Sequence, residues 1–178
     1  ILLTEQIRKC IRKEKGQIIL TDAAKAFLLK RARLVAGAKN KLNKLENIIS
    51  DFKQKNHILV YCGTSTYEET DDEGLMTTST QIEEVINLLG NKLNMRVGRF
   101  TSKENAVERQ SLISDFDKGK LLQALVAIKC LDEGVNIPSI SSAFIMASST
   151  NPKEYIQRRG RVLRKYPGKD YAEIYDFV

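Results

Sequence analysis

The chain has 178 residues, 42% hydrophobic and 29% charged, with a net charge of +7, which suits one ordinary domain, or one with a short appendage, able to bury a core. No run approaches the roughly 20 apolar residues of a membrane span, and the opening ILLTEQIRKC lacks the features of a signal peptide. Three scattered cysteines, Cys10, Cys62 and Cys130, point to reduced thiols and a cytoplasmic location, while the single histidine, His57, excludes most zinc sites and most His-dependent catalysis.

The predicted elements begin with a short basic helix in residues 1–15, interrupted at Gly16. Thr21-Asp22 signals a second helix start. Apolar residues from Ala24 to Ile49 then recur at helical spacing, with lysines and arginines between them. This predicts one long amphipathic helix, or a kinked pair broken at Gly37. Residues 1–50 hold 12 Lys and Arg against 4 Asp and Glu, so the basic character belongs to this segment. Lys39, Lys41 and Lys44 are its candidate phosphate contacts.

HILVYC (57–62) is a short apolar run that predicts a buried strand, with His57 in a structural role at its start. STYEETDDEG (65–74) is acidic and lacks an apolar period, so it predicts a loop or insertion. A helix follows over Thr80–Leu89, ending at Gly90. MRVGRF (95–100) predicts a strand, and Thr101-Ser102-Lys103-Glu104 a capping box that opens a helix running to about Asp117 and ending near Gly119. ALVAIK (124–129) and SAFIMA (142–147) predict strands around a Gly- and Pro-marked loop. Asn151 and Pro152 start a further helix, and AEIYDFV (172–178) predicts the last strand. Such alternation predicts an α/β fold: a mainly parallel sheet covered on both faces, with ligands beyond the carboxyl ends of its strands.

Two segments carry the chemistry. Gln157-Arg158-Arg159-Gly160-Arg161-Val162-Leu163-Arg164 puts Gln157, Arg161 and Arg164 at i, i+4 and i+7, on one helix face. Guanidinium forks on that face suit a polyanion, and Arg158 and Arg159, lying off it, are expected to tolerate change. Cys130-Leu131-Asp132-Glu133-Gly134-Val135-Asn136-Ile137-Pro138 follows a strand and supplies two carboxylates, a glycine and an asparagine. Tyr155 and Tyr166 are secondary candidates for stacking on a base. No G-x-x-x-x-G-K-[ST], no D-E-x-[HD] after an apolar strand and no G-x-G-x-x-G is present.

In their order and separation these segments resemble motifs V (CLDEGVNIP) and VI (QRRGRVLR) of the C-terminal RecA-like lobe of superfamily 2 helicases and translocases, the DEAD/DEAH-type group. HILVYCGT resembles their motif IV, and the Thr101-Ser102 turn resembles the segment that touches the nucleic acid backbone. The resemblance covers residues 57–178 and implies a RecA-like three-layer sandwich, preceded by an N-terminal helical segment. The expected division is a basic connector over 1–52 and the lobe over 53–178.

The resemblance implies that Arg161 and Arg164 are arginine fingers, and that Gln157, Gly134 and Asn136 lie at the ATP. It implies nucleic acid contacts at Gly63, Thr64, Thr101, Ser102 and Lys129. Asn136 stands where many members have Asp, and Ile128-Lys129 where a Thr-Asp pair is common. The residues matched imply no metal site of the chain's own. ATP with Mg2+ would be bound mainly by a first RecA-like lobe, the implied partner, whose motifs are missing here. The chain therefore reads as half an ATPase cut from a longer protein, inactive alone, and Ile1 in place of Met fits that expectation. The overall likeness favours DNA over RNA and no membrane. A non-catalytic nucleic-acid-binding module is the alternative, supported by the basic residues 1–50.

Overall fold

The computed structural model describes residues 2–14, 17–36, 38–70, 76–128, 136–147 and 152–177. Contacts divide the chain into a unit of residues 1–36 and a unit of residues 37–178.

The first unit is helix α1 (Leu2–Lys9), an antiparallel hairpin β1 (Ile11–Glu14) and β2 (Gln17–Leu20), and helix α2 (Asp22–Ala36). Thr21 starts α2 as its sequence suggests: its hydroxyl accepts from the Ala24 amide at 3.2 Å and donates to the Cys10 carbonyl at 2.8 Å. The hairpin is not legible in the sequence, because basic residues interrupt its period of two. The predicted long helix is a pair, α2 and α3 (Lys39–Ile49). Gly37, its expected break, lies outside the described residues.

The second unit is built on a five-stranded sheet in the order β6-β7-β3-β8-β9, every pairing parallel. The strands are β3 (Ile58–Cys62), β6 (Val97–Phe100), β7 (Ala124–Ile128), β8 (Ser142–Ile145) and β9 (Glu173–Asp176). Their alternate side chains enter two cores, one on each face. Ile58, Val60, Cys62, Val126 and Phe144 pack with Leu45, Ile49, Ile82 and Val85, from α3 and α4 (Gln81–Asn87). Leu59, Tyr61, Leu125 and Ile145 pack with Phe116 and Val162, from α5 (Ala106–Lys118) and α6 (Pro152–Val162). Helices on both faces explain why the strands read as unbroken apolar runs. Each fully buried large apolar side chain contributes about 1.5–3 kcal/mol.

The first of these cores draws in residues that precede the division expected at 52/53. Leu45, Ile49 and Phe52 are buried against the sheet, and α3 packs within the unit of residues 37–178. Three elements differ locally from those expected. Residues Thr66–Thr70 (β4) and Met76–Thr80 (β5) pair as an antiparallel hairpin where a loop or insertion was expected over 65–74. Helix α4 does not stop at Gly90 but continues as a π-helical turn, Leu88–Lys92. Helix α5 opens at Asn105, not Thr101: Asn105 Oδ1 accepts from the Val107 and Glu108 amides at 2.9 and 3.0 Å. Gly119 ends it with φ 64°, a left-handed cap that suits glycine.

Candidate functional site

Parallel strands direct their carboxyl ends to one edge, and the loops there carry the candidate residues. A cleft of about 380 Å3 is lined by Gly63 and Thr64 after β3, Thr101 and Ser102 after β6, and Ile128 at the end of β7. Four residues expected from separate segments thus meet in one place. Lys129 and Gly134 lie outside the described residues.

Two of the four are already engaged by their neighbours. The Gly63 amide donates to Gln81 Oε1 at 2.6 Å. Buried Gln81 also donates through Nε2 to the Tyr67 hydroxyl at 3.2 Å and through its own amide to the Ser65 carbonyl. The β3 turn, hairpin and α4 therefore share one polar brace. The Thr101 hydroxyl donates to Glu104 Oε2 at 2.8 Å and accepts from the Lys103 amide, while the Thr101 amide donates to the same carboxylate at 2.5 Å. Only the Glu104 half of the expected capping box is present, since the Thr101 hydroxyl accepts from Lys103 and not from the Glu104 amide, and it shapes a turn instead of starting a helix. Arg109 Nη2 donates to the Thr101 carbonyl at 2.7 Å and closes that turn from α5. Burial would raise the Glu104 pKa, yet the Thr101 hydrogen bonds and the Arg109 charge outweigh it and hold the carboxyl below its ordinary value. Thr64 and Ser102 stand exposed at the cleft.

The cleft also contains residues not anticipated from the sequence: Arg99, Lys103, Thr80 and Glu83. The signal for Arg99 was a charge at the penultimate position of an apolar strand. Glu83 has its pKa lowered by hydrogen bonds from the Thr80 hydroxyl and amide, with smaller contributions from Arg99 and Lys103. A cleft with two cations and exposed hydroxyls suits an anionic backbone.

Helix α6 carries the arginines. Gln157 and Arg161 lie one turn apart, Gln157 exposed and Arg161 half-buried. Arg164 lies two residues beyond the last helical residue, Val162, and its Nη1 donates to Asn136 Oδ1. The two candidates from motifs V and VI are thus brought together. Lys169 holds the same corner: its ammonium donates to the carbonyls of Pro138 and Val162 at 3.0 and 2.6 Å and to that of Arg164 at 3.0 Å. Burial pushes this ammonium below the ordinary lysine value.

Arg158 departs from expectation. It is 6% exposed, its guanidinium carbon sits 4.2 Å from the Tyr61 ring centroid, and Nη1 donates to the Ala147 carbonyl at 3.1 Å. With Val162 one turn on, it forms the inward face of α6, whereas Arg159 is exposed. Lys41, expected as a phosphate contact, donates instead to the carbonyls of Phe177 and Met146 at 2.5 and 3.3 Å. Burial lowers its pKa, and the Asp176 charge acts in the opposite sense. His57 sits at the other end of β3, its Nε2 3.2 Å from the Asp117 carbonyl and its ring edge-on to Phe116. Tyr166 is half-buried away from the cleft, in the loop before β9; the side chain of Tyr155 is outside what the structure describes.

Among the described residues no group of His, Cys, Asp and Glu could hold a metal ion, and no helix is long and apolar enough to cross a membrane. The donor set at α6, guanidiniums and amides, suits phosphate oxygens and not a divalent cation.

Over 65 residues the chain is 34% identical to the DNA 3'-5' translocase XPB2 of Sulfurisphaera tokodaii, which is 36% of this chain and 15% of that protein. Among solved structures, the C-terminal part of the Fun30 ATPase domain is similar with a TM-score of 0.56 and 19% identity, over 76% of this chain and 39% of that one. The E. coli DEAD-box protein SrmB gives 0.54 and 18%, over 76% and 69%. The Pyrococcus furiosus Hef helicase domain gives 0.50 and 23%, over 99% and 34%. The chain thus spans a small part of its curated relative and about a third of the longer structural ones, and the fold they share is RecA-like. The family described as helicase conserved C-terminal domain matches residues 40–166, the stretch that carries the cleft, the Asn136–Arg164 contact and most of the sheet, and the chain belongs to that family.

Proposed function

We propose that the chain is the second lobe of an ATP-dependent nucleic acid helicase or translocase, working with a first RecA-like lobe. The observation that carries this reading is the convergence of Gly63, Thr64, Thr101 and Ser102 on one cleft, beside a sheet whose α6 presents Gln157 and Arg161. The cleft receives the polynucleotide backbone. Arg161 and Arg164 face the nucleotide phosphates, where guanidinium forks stabilise the charge that develops during hydrolysis. Asn136 orients Arg164 through their hydrogen bond. Mg2+, held mainly by the first lobe, would supply charge neutralisation at the phosphate oxygens. The similarity to a protein named a DNA translocase favours DNA over RNA.

The test is Arg161→Ala in the complete polypeptide. Loss of an arginine finger costs on the order of 10³–10⁵ in turnover, about 4–7 kcal/mol of barrier. Arg161→Lys rescues poorly, because an ammonium lacks the two-pronged geometry. Turnover is measured at saturating polynucleotide, with circular dichroism as the folding control. Near-wild-type turnover in a normally folded Arg161→Ala protein removes the finger role. Polynucleotide binding without any hydrolysis by the complete polypeptide favours the non-catalytic module instead.

A further inference from the structure

We propose that a pocket at the edge of the sheet opposite the cleft is a docking site for an arginine side chain of a partner protein. It is a cavity of about 260 Å3 at the starts of β3, β8 and β9, where Ser142 and Glu173 are paired in the ladder. The turn at Gly168, φ 76°, forms its wall ahead of β9. Small-molecule sites enclose roughly 300–1,000 Å3, so this smaller cavity suits one side chain and not a whole cofactor. Ser142 lines it and is 2% exposed, and its hydroxyl has no hydrogen-bond partner among the described residues. A buried hydroxyl without a partner is destabilising, and a ligand that hydrogen-bonds to it repays the loss.

The charges around the pocket decide what it takes. Its cations are already engaged. Lys169 directs its ammonium to the carbonyls of Pro138, Val162 and Arg164, and Lys55 lies over the Phe52 ring, 4.2 Å from its centroid. Its anions keep accepting capacity. Asp170 is exposed and has no hydrogen-bond or ion-pair partner among the described residues. Glu173 has the Lys55 ammonium at 3.7 Å, beyond hydrogen-bond reach, and accepts from the Tyr175 hydroxyl at a long 3.4 Å. Two phenol rings complete the pocket, Tyr166 half-buried and Tyr171 72% exposed. Two carboxylates, two aromatic rings and a hydroxyl match a guanidinium, which donates to carboxylates in a planar fork and stacks on aromatic faces. An ammonium offers neither the fork nor the plane. The same carboxylates repel a phosphate backbone, so the source of the guanidinium is a protein. The cleft lies at the other ends of the strands, so a partner seated here leaves it open.

The experiment titrates this chain, its backbone amides labelled for NMR, with the tripeptide N-acetyl-Gly-Arg-Gly-amide. The amide signals of Ser142, Gly168 and Tyr171 are expected to shift and saturate, while those of Gly63 and Thr64 at the cleft stay in place. The same tripeptide with citrulline, which keeps the shape and loses the charge, is expected to leave the pocket signals unmoved, and the lysine tripeptide to bind more weakly than the arginine one. Asp170→Asn and Ser142→Ala should each weaken the arginine tripeptide by about tenfold, the loss of one hydrogen bond to a charged group. Ser142→Ala should melt no lower than the wild type, because it removes a hydroxyl without a partner. Asp170→Asn, at an exposed position, keeps the test valid if Ser142→Ala fails to fold. Absence of saturable shifts at the pocket overturns the proposal, as do equal shifts with the citrulline peptide, binding of the lysine peptide as tight as that of arginine, or unchanged affinity in folded Asp170→Asn. None of these outcomes bears on the cleft or on Arg161, so the proposed function stands or falls separately.

Discussion

Lys169 donates to the carbonyl oxygen of Val162 at 2.6 Å, capping the last turn of α6 with a charge seven residues further along the chain. The carbonyls at a helix C-terminus lack intrahelical partners, and a cation there also complements the helix dipole. By reaching Pro138 and Arg164 as well, the same ammonium ties the end of the β7–β8 connection to the end of the arginine helix.

Lys169→Met should therefore lower stability by about 1–3 kcal/mol, since it strands part-buried carbonyls. Urea unfolding reads the loss directly. The Asn136–Arg164 contact should loosen as well, seen as faster exchange of the Arg164 guanidinium protons. An unchanged unfolding midpoint would show that water replaces the ammonium without penalty.

Among the lysines of α3, position decides role. Lys41 is bound to the Phe177 and Met146 carbonyls, so Lys41→Glu should destabilise the lobe by about 1–3 kcal/mol. Lys44, exposed at the surface, should change stability by no more than about 0.5 kcal/mol when reversed. Comparable denaturation midpoints for the two variants would contradict this division. Salt dependence of oligonucleotide binding then measures phosphate contact at Lys44 without interference from unfolding.

The Thr101 turn should be sensitive to acid. Glu104 has a folded pKa below its ordinary value, so it binds its proton less readily folded than unfolded. Its stabilisation is complete above the ordinary glutamate range and is lost as pH falls through the lower, folded value. An NMR titration should show the Glu104 carboxyl and the Thr101 amide moving together in that acidic window. Glu104→Gln should abolish the shared step. A Thr101 amide that titrates identically in Glu104→Gln would assign the step to another carboxylate.

The sheet was legible because β3, β7 and β8 are short, largely apolar runs, and the arginine helix because Pro152 sets its start. Alternating polar residues hid the hairpin at Thr66–Thr80, whose ladder comes from backbone pairing. Two adjacent capping boxes, Thr101/Glu104 and Asn105/Glu108, look alike in sequence. Only the second opens a helix: Asn105 Oδ1 accepts from the Val107 and Glu108 amides, whereas the Thr101 hydroxyl accepts from Lys103 and leaves a turn. Convergence of Gly63, Thr64, Thr101 and Ser102 followed from parallel topology. The roles of Arg158 and Lys41 did not, because an arginine or lysine that caps buried carbonyls has the same sequence appearance as one that faces solvent.

The strand order also sets a timetable for biosynthesis. The first strand of the sheet to leave the ribosome, β3, is its centre and pairs only with β7 and β8. Its apolar segment Ile58–Cys62 has no partner until residue 128 has emerged. At about 5–20 residues per second, that wait is on the order of 3–13 s. Such non-local pairing is slow to nucleate and exposes sticky surface meanwhile. A newly made chain is thus a natural client for ribosome-associated chaperones during that interval, and truncations before β7 should accumulate as insoluble protein instead of as a smaller folded lobe.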